Sequence, residues 1–342
     1  MRIDRPLLTI AIPTYGRAPF LRELLACLQP QLAAQPKVEL LISDNASPDD
    51  TAEVVREFQR SGLELRYLQN EINIGPDANF LQCYEQAFGR YVWVFGDDDL
   101  LLDGGLATVV DLLEHESPDY AFVAPYLFLE TIEEIRPRRR NVATKIIKDP
   151  IEMITLVNLH TDLILISSGI VDKERIAAIP HPPFTSLVGS NLVQLSWILT
   201  SLRNLRCGIF VELGALATRG ANSRGGFQAA QVFGESYRRA VSEMLEPDSA
   251  LARKLIGDHL RIWFPKNWLG FRENGEDARI QRRILKTAFH DSAWYWLCAW
   301  PLIYAPRRMA QLWAKVLWGI ARIRQEHLSV PGRVETSPPA SD

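Results

Sequence analysis

The chain has 342 residues, 47% of them hydrophobic and 23% charged, and a formal net charge of -3. That is globular composition with room for one large domain or two smaller ones, and the near-neutral balance argues against a general nucleic-acid binder, which carries a basic excess. The four cysteines, Cys27, Cys83, Cys207 and Cys298, are scattered without CxxC spacing; this speaks against a zinc site or disulfide framework and suits a reduced, cytoplasmic setting. Met1 to Pro6 leads into a strand-like run with no signal-peptide pattern, and no stretch reaches the ~18 to 20 apolar residues that span a bilayer.

In chain order, Leu7 to Ile12 is an apolar, β-rich run ended by Pro13, and predicts a buried strand. A polar loop, Thr14-Tyr-Gly-Arg17, follows. Pro19 to Leu32 carries Phe20, Leu21, Leu24, Leu25 and Leu28 at helical spacing. Val38 to Ser43 is a second strand that ends in Asp44. Ser47 and Pro48 suit the cap and first position of a helix running through Phe58. Leu63 to Leu68 is a third strand, Asn70 to Asn79 a polar loop containing Asn73 and Gly75, and Phe80 to Phe88 a helix. Tyr91 to Phe95 is a fourth strand, broken at Gly96 into three carboxylates, Asp97, Asp98 and Asp99.

This alternation with short connections predicts an α/β fold: a mostly parallel central sheet with helices on both faces. Parallel strands put the polar residues after the first, second and fourth strands on one rim, where open α/β sheets collect ligands. Three adjacent carboxylates repel one another unless they are solvated or a positive group sits among them. One reading is a site for Mg2+ or Mn2+ bridging to substrate phosphate oxygens. The other is an acidic turn leading into a capped helix.

Downstream, Leu106 to Leu113 reads as a helix and Tyr120 to Ala124 as a strand. Glu130 to Lys148 is charged and irregular, with Arg136-Pro-Arg-Arg-Arg140 at its centre, either a solvated loop or a contact for phosphate or an anionic membrane. Leu163 to Val171 is strand-like, Asp172 opens a short helix, Asn191 to Leu202 is amphipathic, and Cys207 to Leu213 is a further strand. Arg219 to Gly226 is a Gly-rich loop, either ordinary surface or a cover for a nucleotide sugar. From residue 227 the strands stop. The expected organisation is therefore a sheet domain over 1–226, a helical region over 227–328 and a disordered Pro/Ser-rich tail over 329–342. Within the helical region, Ala293 to Ala305 is Trp-rich and is followed by Arg307, Arg308, Trp313, Lys315, Trp318, Arg322 and Arg324. Such a segment suits a bilayer interface or a helix packed on the sheet domain.

Ile12-Pro-Thr-Tyr-Gly-Arg17, Ser43-Asp-Asn-Ala-Ser-Pro-Asp-Asp-Thr51, Asn73-Ile-Gly75 and Gly96-Asp-Asp-Asp99 occur in this order. Together they resemble a family 2 glycosyltransferase of the GT-A fold, and in detail the abequosyltransferase-type enzymes of O-antigen assembly. The resemblance covers roughly the first 220 residues. It implies transfer of a sugar from a nucleotide donor with inversion, to a glycan acceptor on a lipid carrier, by an enzyme peripheral at the inner face of the cytoplasmic membrane. It implies a donor pocket lined by Pro13, Thr14, Tyr15 and Arg17 with Asn73 and Gly75, Asp44 toward the base, Asp97 toward the ribose with Asp98 beside it, and Asp99 on a divalent metal, Mn2+ or Mg2+.

The sequence departs from the family at one place. Where many members carry a Glu-Asp pair whose Asp is the general base, this chain has Ser190 and Asn191. Asp162, Asp172, Glu174 and His181 are the alternative bases. Each also has a plainer reading as a surface, capping or structural residue. The missing pair also leaves open a catalytically silent sugar-nucleotide-binding or scaffold subunit. A nucleotidyl transferase and a nicotinamide dehydrogenase are disfavoured, because the first loop has only Gly16 and Arg17 and lacks GxGxxG.

Overall fold

The computed structural model describes residues 5–128, 144–157, 164–220, 228–272 and 278–326. Asp162, the Arg136 to Arg140 run, most of the Arg219 to Gly226 loop and the 329–342 tail lie outside the described residues. These residues divide into two compact units that part between Ile256 and Gly257.

The first unit is built on one sheet of nine strands: β1 Leu8–Thr14, β2 Val38–Asp44, β3 Arg66–Gln69, β4 Tyr91–Val94, β5 Leu100–Leu101, β6 Tyr120–Phe128, β7 Thr144–Ile147, β8 Gly169–Asp172 and β9 Gly208–Arg219. The order is β3-β2-β1-β4-β8-β6-β9-β5, with β7 also on β9. β1 pairs in parallel with β2 and β4, and β2 with β3. β8 runs antiparallel between β4 and β6, so the sheet is mixed at its middle and parallel around the predicted rim.

The helices of this unit are α1 Ala18–Ala33, α2 Thr51–Arg60, α3 Pro76–Gln86, α4 Gly105–Glu116, α5 Pro150–Leu156, α6 Lys173–Ala177, α7 Gln194–Arg203, α8 Tyr237–Met244 and α9 Ala250–Asp258, the last reaching the boundary. β1 is buried at every position because helices cover both faces of the sheet. Leu21, Leu24, Leu25 and Leu28 of α1 pack into the same core as Leu8, Ile10, Ile12 and Trp93.

Three differences from the sequence reading have local causes. α3 starts at Pro76, inside the expected loop, because Gly75 turns the chain at φ 85° and Pro76 sets the first helical φ. The strand-like run 163–171 resolves, over its described part, into a 3-10 turn at Ile166–Ser168 and the short strand β8. The helical segment after residue 227 begins inside the first unit. Arg203 Nη1 on α7 donates to Met244 O, and Arg239 Nη2 on α8 donates to Ser186 O, tying that segment to the sheet domain.

The second unit holds α10 Phe264–Arg272, α11 Ala278–Phe289, α12 Trp300–Tyr304 and α13 Arg307–Glu326, with π turns at His259–Trp263 and Tyr295–Ala299. Its core gathers His259, Trp263, Phe264, Trp268 and Phe289.

The tightest backbone approach is Gly89, just before β4, where Thr9 Oγ1 accepts the Gly89 N–H at 2.8 Å. A Cβ there would stand 2.5 Å from the Thr9 nitrogen and 2.7 Å from the Leu8 carbonyl carbon. Both are atoms of the central strand, which cannot yield as a flexible side chain could. Gly89→Ala is expected to destabilise the protein by about 1–3 kcal/mol, measured as a lower urea midpoint with an unchanged slope.

Candidate donor-binding site

The parallel strands end on one rim, and β1, β2 and β4 each deliver polar residues there. β1 ends at Thr14, whose Oγ1 donates to Asp97 Oδ2 at 2.8 Å. The following loop turns at Gly16, φ 62°. Its Gly16 N–H donates to Ser47 Oγ at 2.9 Å, and Ala18 N–H to Asp49 Oδ2 at 2.9 Å. α1 is thus capped from the neighbouring strand's loop. This arrangement points Arg17 back at the triplet: its Nη1 lies 3.1 Å from Asp97 Oδ1 and 2.9 Å from Asp98 Oδ2.

Further contacts hold the triplet. Phe95 N–H donates to Ala11 O, carrying the ladder one residue past β4. Ser167 Oγ accepts the Gly96 N–H at 2.8 Å and donates to Asp99 Oδ2 at 2.5 Å. Arg219 N–H, where β9 ends, donates to Asp99 Oδ1 at 3.0 Å. β5 pairs with β9 directly after the triplet, Leu100 opposite Ala217, and so fixes that approach. The Arg219 guanidinium lies over the Phe128 ring and binds Glu23 at 2.6 Å.

Asp97 and Asp99 are 5% and 8% exposed, so their charges are poorly solvated. Burial, with some repulsion from Asp98, pushes the Asp97 carboxyl up to about 6, against the pull of Arg17 and Thr14. Burial also pushes Asp99 up to about 7, against the hydrogen bonds from Ser167 and the Arg219 N–H. A hard divalent cation fits this donor set, because it would relieve the same penalty that a proton relieves. Among the described residues no three acidic, His or Cys side chains converge on one point. A cation here would therefore take one or two carboxylates from the protein and fill its shell with phosphate oxygens and water, the usual habit of Mg2+.

Asp44 ends β2 and is fully buried. Its carboxylate accepts from Ser47 N–H at 2.8 Å, from the Tyr67 hydroxyl, and from Gln69 Nε2 at 3.3 Å. Asp44 thus pins the 45–47 turn and Tyr67. Asn45 is a second organiser. Its Nδ2 donates to Asn73 Oδ1 at 2.9 Å, and its Oδ1 accepts from Ile74 N–H at 2.9 Å. The loop with Asn73 and Gly75 is fastened to the end of β2 in this way. Asn79 completes the fastening, accepting from Ser43 Oγ at 2.6 Å and donating to Ser43 O at 3.0 Å. Pro13 lies inside buried β1, and Tyr15 is 47% exposed at the mouth of the loop.

The three described candidate bases do not join this cluster. Asp172 pairs across from Tyr91, at the start of β4 and hence on the opposite rim. There it caps α6 through the Arg175 N–H at 3.0 Å and binds Arg90 Nε at 3.0 Å. Glu174 is ion-paired with Arg5 at that same far end. His181 stacks on Phe184 with centroids 4.4 Å apart, and its Nδ1 lies 2.8 Å from Pro182 O. Asp162 is among the residues not described.

At the departure point, Ser190 is buried and Asn191 is exposed at φ 60°. Asp77 of α3 lies against this turn, accepting Asn191 N–H at 2.7 Å and Val193 N–H at 3.4 Å. Burial raises the Asp77 carboxyl in spite of these bonds. Sequence reasoning missed Asn45, Asp77, Ser167 and Glu23. Asp77 and Asn45 stand inside recognised motifs and were open to notice. Ser167 and Glu23 meet the site only through long-range packing, and no local pattern marks them.

Residues 9–173 match the family model described as Glycosyl transferase family 2. Abequosyltransferase RfbV of Salmonella typhimurium is 37% identical over 115 residues, 33% of this chain and 34% of the relative. The GalNAc(5)-diNAcBac-PP-undecaprenol beta-1,3-glucosyltransferase of Campylobacter jejuni is 33% identical over 119 residues, 34% of this chain and 37% of that protein. The chain thus spans about a third of the length of the curated relatives it matches. S. aureus TarS 1-349 in complex with UDP-GlcNAc superposes with a TM-score of 0.62 over 93% of this chain and 92% of that one, at 16% identity. The shared architecture is the GT-A fold.

Both carboxyls hold a proton more readily in the folded protein than unfolded. The contribution of these two groups to stability without metal is therefore full below the ordinary carboxyl range near 4, and is lost as pH rises through about 6 and 7. Asp99→Asn removes one of these charges. It is expected to raise Tm at pH 7.5 relative to the wild type and to flatten the decline between pH 5 and 7.5. A wild-type Tm that rises over that interval would contradict this electrostatic account.

Proposed function

With residues 9–173 forming a family 2 glycosyltransferase domain, we propose that the protein is a metal-dependent inverting glycosyltransferase. It moves one sugar from a nucleotide-sugar donor to a glycan acceptor on a lipid carrier, in O-antigen or other surface-polysaccharide assembly, at the cytoplasmic membrane surface. The observation that carries the reading is the placement of two nearly buried carboxylates, Asp97 and Asp99, on the same rim as Thr14 and Arg17. Such a rim is where α/β sheets bind phosphorylated ligands. The likeness to TarS in complex with UDP-GlcNAc supports the donor class, and RfbV and the undecaprenol-linked glucosyltransferase support the acceptor class.

In this reading Pro13, Thr14 and Tyr15 line the nucleotide pocket, with Asp44 behind its wall and Asn73 and Gly75 along its edge. Asp97 faces the ribose, Asp98 lies beside it and Asp99 holds the cation, Mn2+ or Mg2+. When bound, that cation neutralises charge on the departing nucleoside diphosphate. Arg17, already set between Asp97 and Asp98, adds a second positive group on the phosphate side. Inversion requires one base near the acceptor hydroxyl. Asp172 and Glu174, engaged with Arg90 and Arg5 on the far rim, are occupied structurally, which leaves Asp162 and His181 to be tested by substitution.

A second reading has its own support: Ser190 and Asn191, where the family pair would stand, carry no carboxylate. A donor-binding subunit without turnover would look the same at the triplet. Calorimetry with UDP, CDP, GDP and dTDP, with and without Mn2+, tests the donor site. One nucleotide is expected to bind only with metal, and Asp99→Ala to weaken it by at least roughly tenfold, a loss of about 1.4 kcal/mol. Metal-independent binding that ignores Asp99 would reduce the triplet to a turn. Release of nucleoside diphosphate on adding lipid-linked acceptor separates the transferase from the silent module.

A further inference from the structure

Among the described residues, seventeen large apolar side chains are exposed, and nine of them lie between Trp294 and Ile320. On α13 they are ordered. Met309, Leu312, Trp313, Val316 and Ile320 recur at helical spacing and form one stripe along the helix, with exposures of 63%, 67%, 37%, 45% and 59%. The face that packs inward is a different one, marked by buried Ala310 and Ala314. α13 is therefore anchored to its unit by small residues while its large ones face out. Trp296, Leu297 and Trp300 add exposed apolar surface on the preceding turn and α12. A soluble helix turns its large apolar face inward, so this one lacks its partner.

The charge pattern says what the partner is. From Ala293 to Gln325 the sequence has five cations, Arg307, Arg308, Lys315, Arg322 and Arg324, and no acidic residue. No helix of the described chain is long and apolar enough to cross a membrane. A twenty-residue helix with an outward apolar stripe, flanking cations and interfacial Trp has the makeup of one that lies in the plane of an anionic bilayer. A second copy fits poorly, because a two-fold contact would lay this cationic strip against itself. The segment 327–342 fits poorly too, having Leu328, Val330 and Val334 as its large aliphatic residues.

We infer that the Met309–Ile320 stripe of α13 is an in-plane docking face for an anionic lipid bilayer. The inference deepens the lipid-linked-acceptor reading, and rests on it for its purpose, since an enzyme held at the surface meets an acceptor confined there.

The test uses the full chain and vesicles of phosphatidylglycerol with phosphatidylethanolamine, against vesicles of phosphatidylcholine alone. The wild type is expected to co-sediment with the anionic vesicles, to shift its Trp emission to the blue, and to bind less as salt rises. The exposed triple variant L312Q/V316Q/I320Q is expected to lose roughly tenfold or more in partitioning, with an unchanged circular dichroism spectrum. The charge variant R308E/K315E is expected to lose the preference for anionic vesicles. Equal sedimentation of the triple variant and the wild type overturns the inference, as does a wild type that ignores anionic vesicles. So does a wild-type dimer that the triple variant dissolves, which would make the stripe a contact between copies. Nucleotide binding is measured without vesicles, so loss of docking with donor binding intact leaves the transferase reading standing. The reverse result sinks the transferase reading alone.

Discussion

Packing like charges at the end of a buried strand is the constraint on which this fold turns. β4 is sealed on both sides, and it delivers Asp97 and Asp99 to a rim where little water reaches them. Ionising both in that setting is costly, and the protein offsets the cost with donors brought from far along the chain. Thr14 and Arg17 come from β1 and its loop, Ser167 from the turn before β8, and the Arg219 N–H from the end of β9. The offset is partial, since burial still leaves both carboxyls more basic than usual. Under the proposed reading, that residual affinity for positive charge is what a cation would satisfy.

The reversed strand in the middle of the sheet follows from the same need. β8 enters between β4 and β6 against their direction, so its start, not its end, lies on the candidate rim. That start is the Ile166–Ser168 turn, and it places Ser167 between Gly96 and Asp99 while Trp93 Nε1 donates to Ser167 O at 2.6 Å. One consequence is that Asp172, four residues further, is carried to the opposite rim. There its neighbours are Arg90 and the α6 cap. Its burial and its polar partners are structural in origin, although in sequence it flanks the same apolar run.

The legible part of the molecule was the part in which local chemistry and periodicity agree. The alternation of β1 to β4 with α1 to α3 could be read in order, though not to its boundaries, and so could the gathering of polar ends on one rim. The reversal of β8 could not, because a four-residue apolar strand reads the same in either direction. The start of α3 was missed because Asn, Gly and Pro look like loop, whereas here Gly75 turns the chain and Pro76 opens the helix. The residues of the candidate site were visible as motifs. The groups that hold them, Ser167, Glu23 and the Arg219 N–H, are set by tertiary packing, and a lone Ser or Glu has no periodic signature.

The turn before α7 shows how the position expected to carry an acid can do without one. Asn191 adopts a left-handed backbone, φ 60°, a conformation in which Asn is favoured over most side chains and Asp is nearly as well tolerated. Backbone preference therefore does not exclude an acid at 191. The carboxylate of Asp77 already accepts the Asn191 and Val193 N–H groups at this helix start, and burial already makes its charge expensive. The carboxylate at this turn is thus Asp77 of α3, the helix whose start Asn45 and Asn79 fasten to β2.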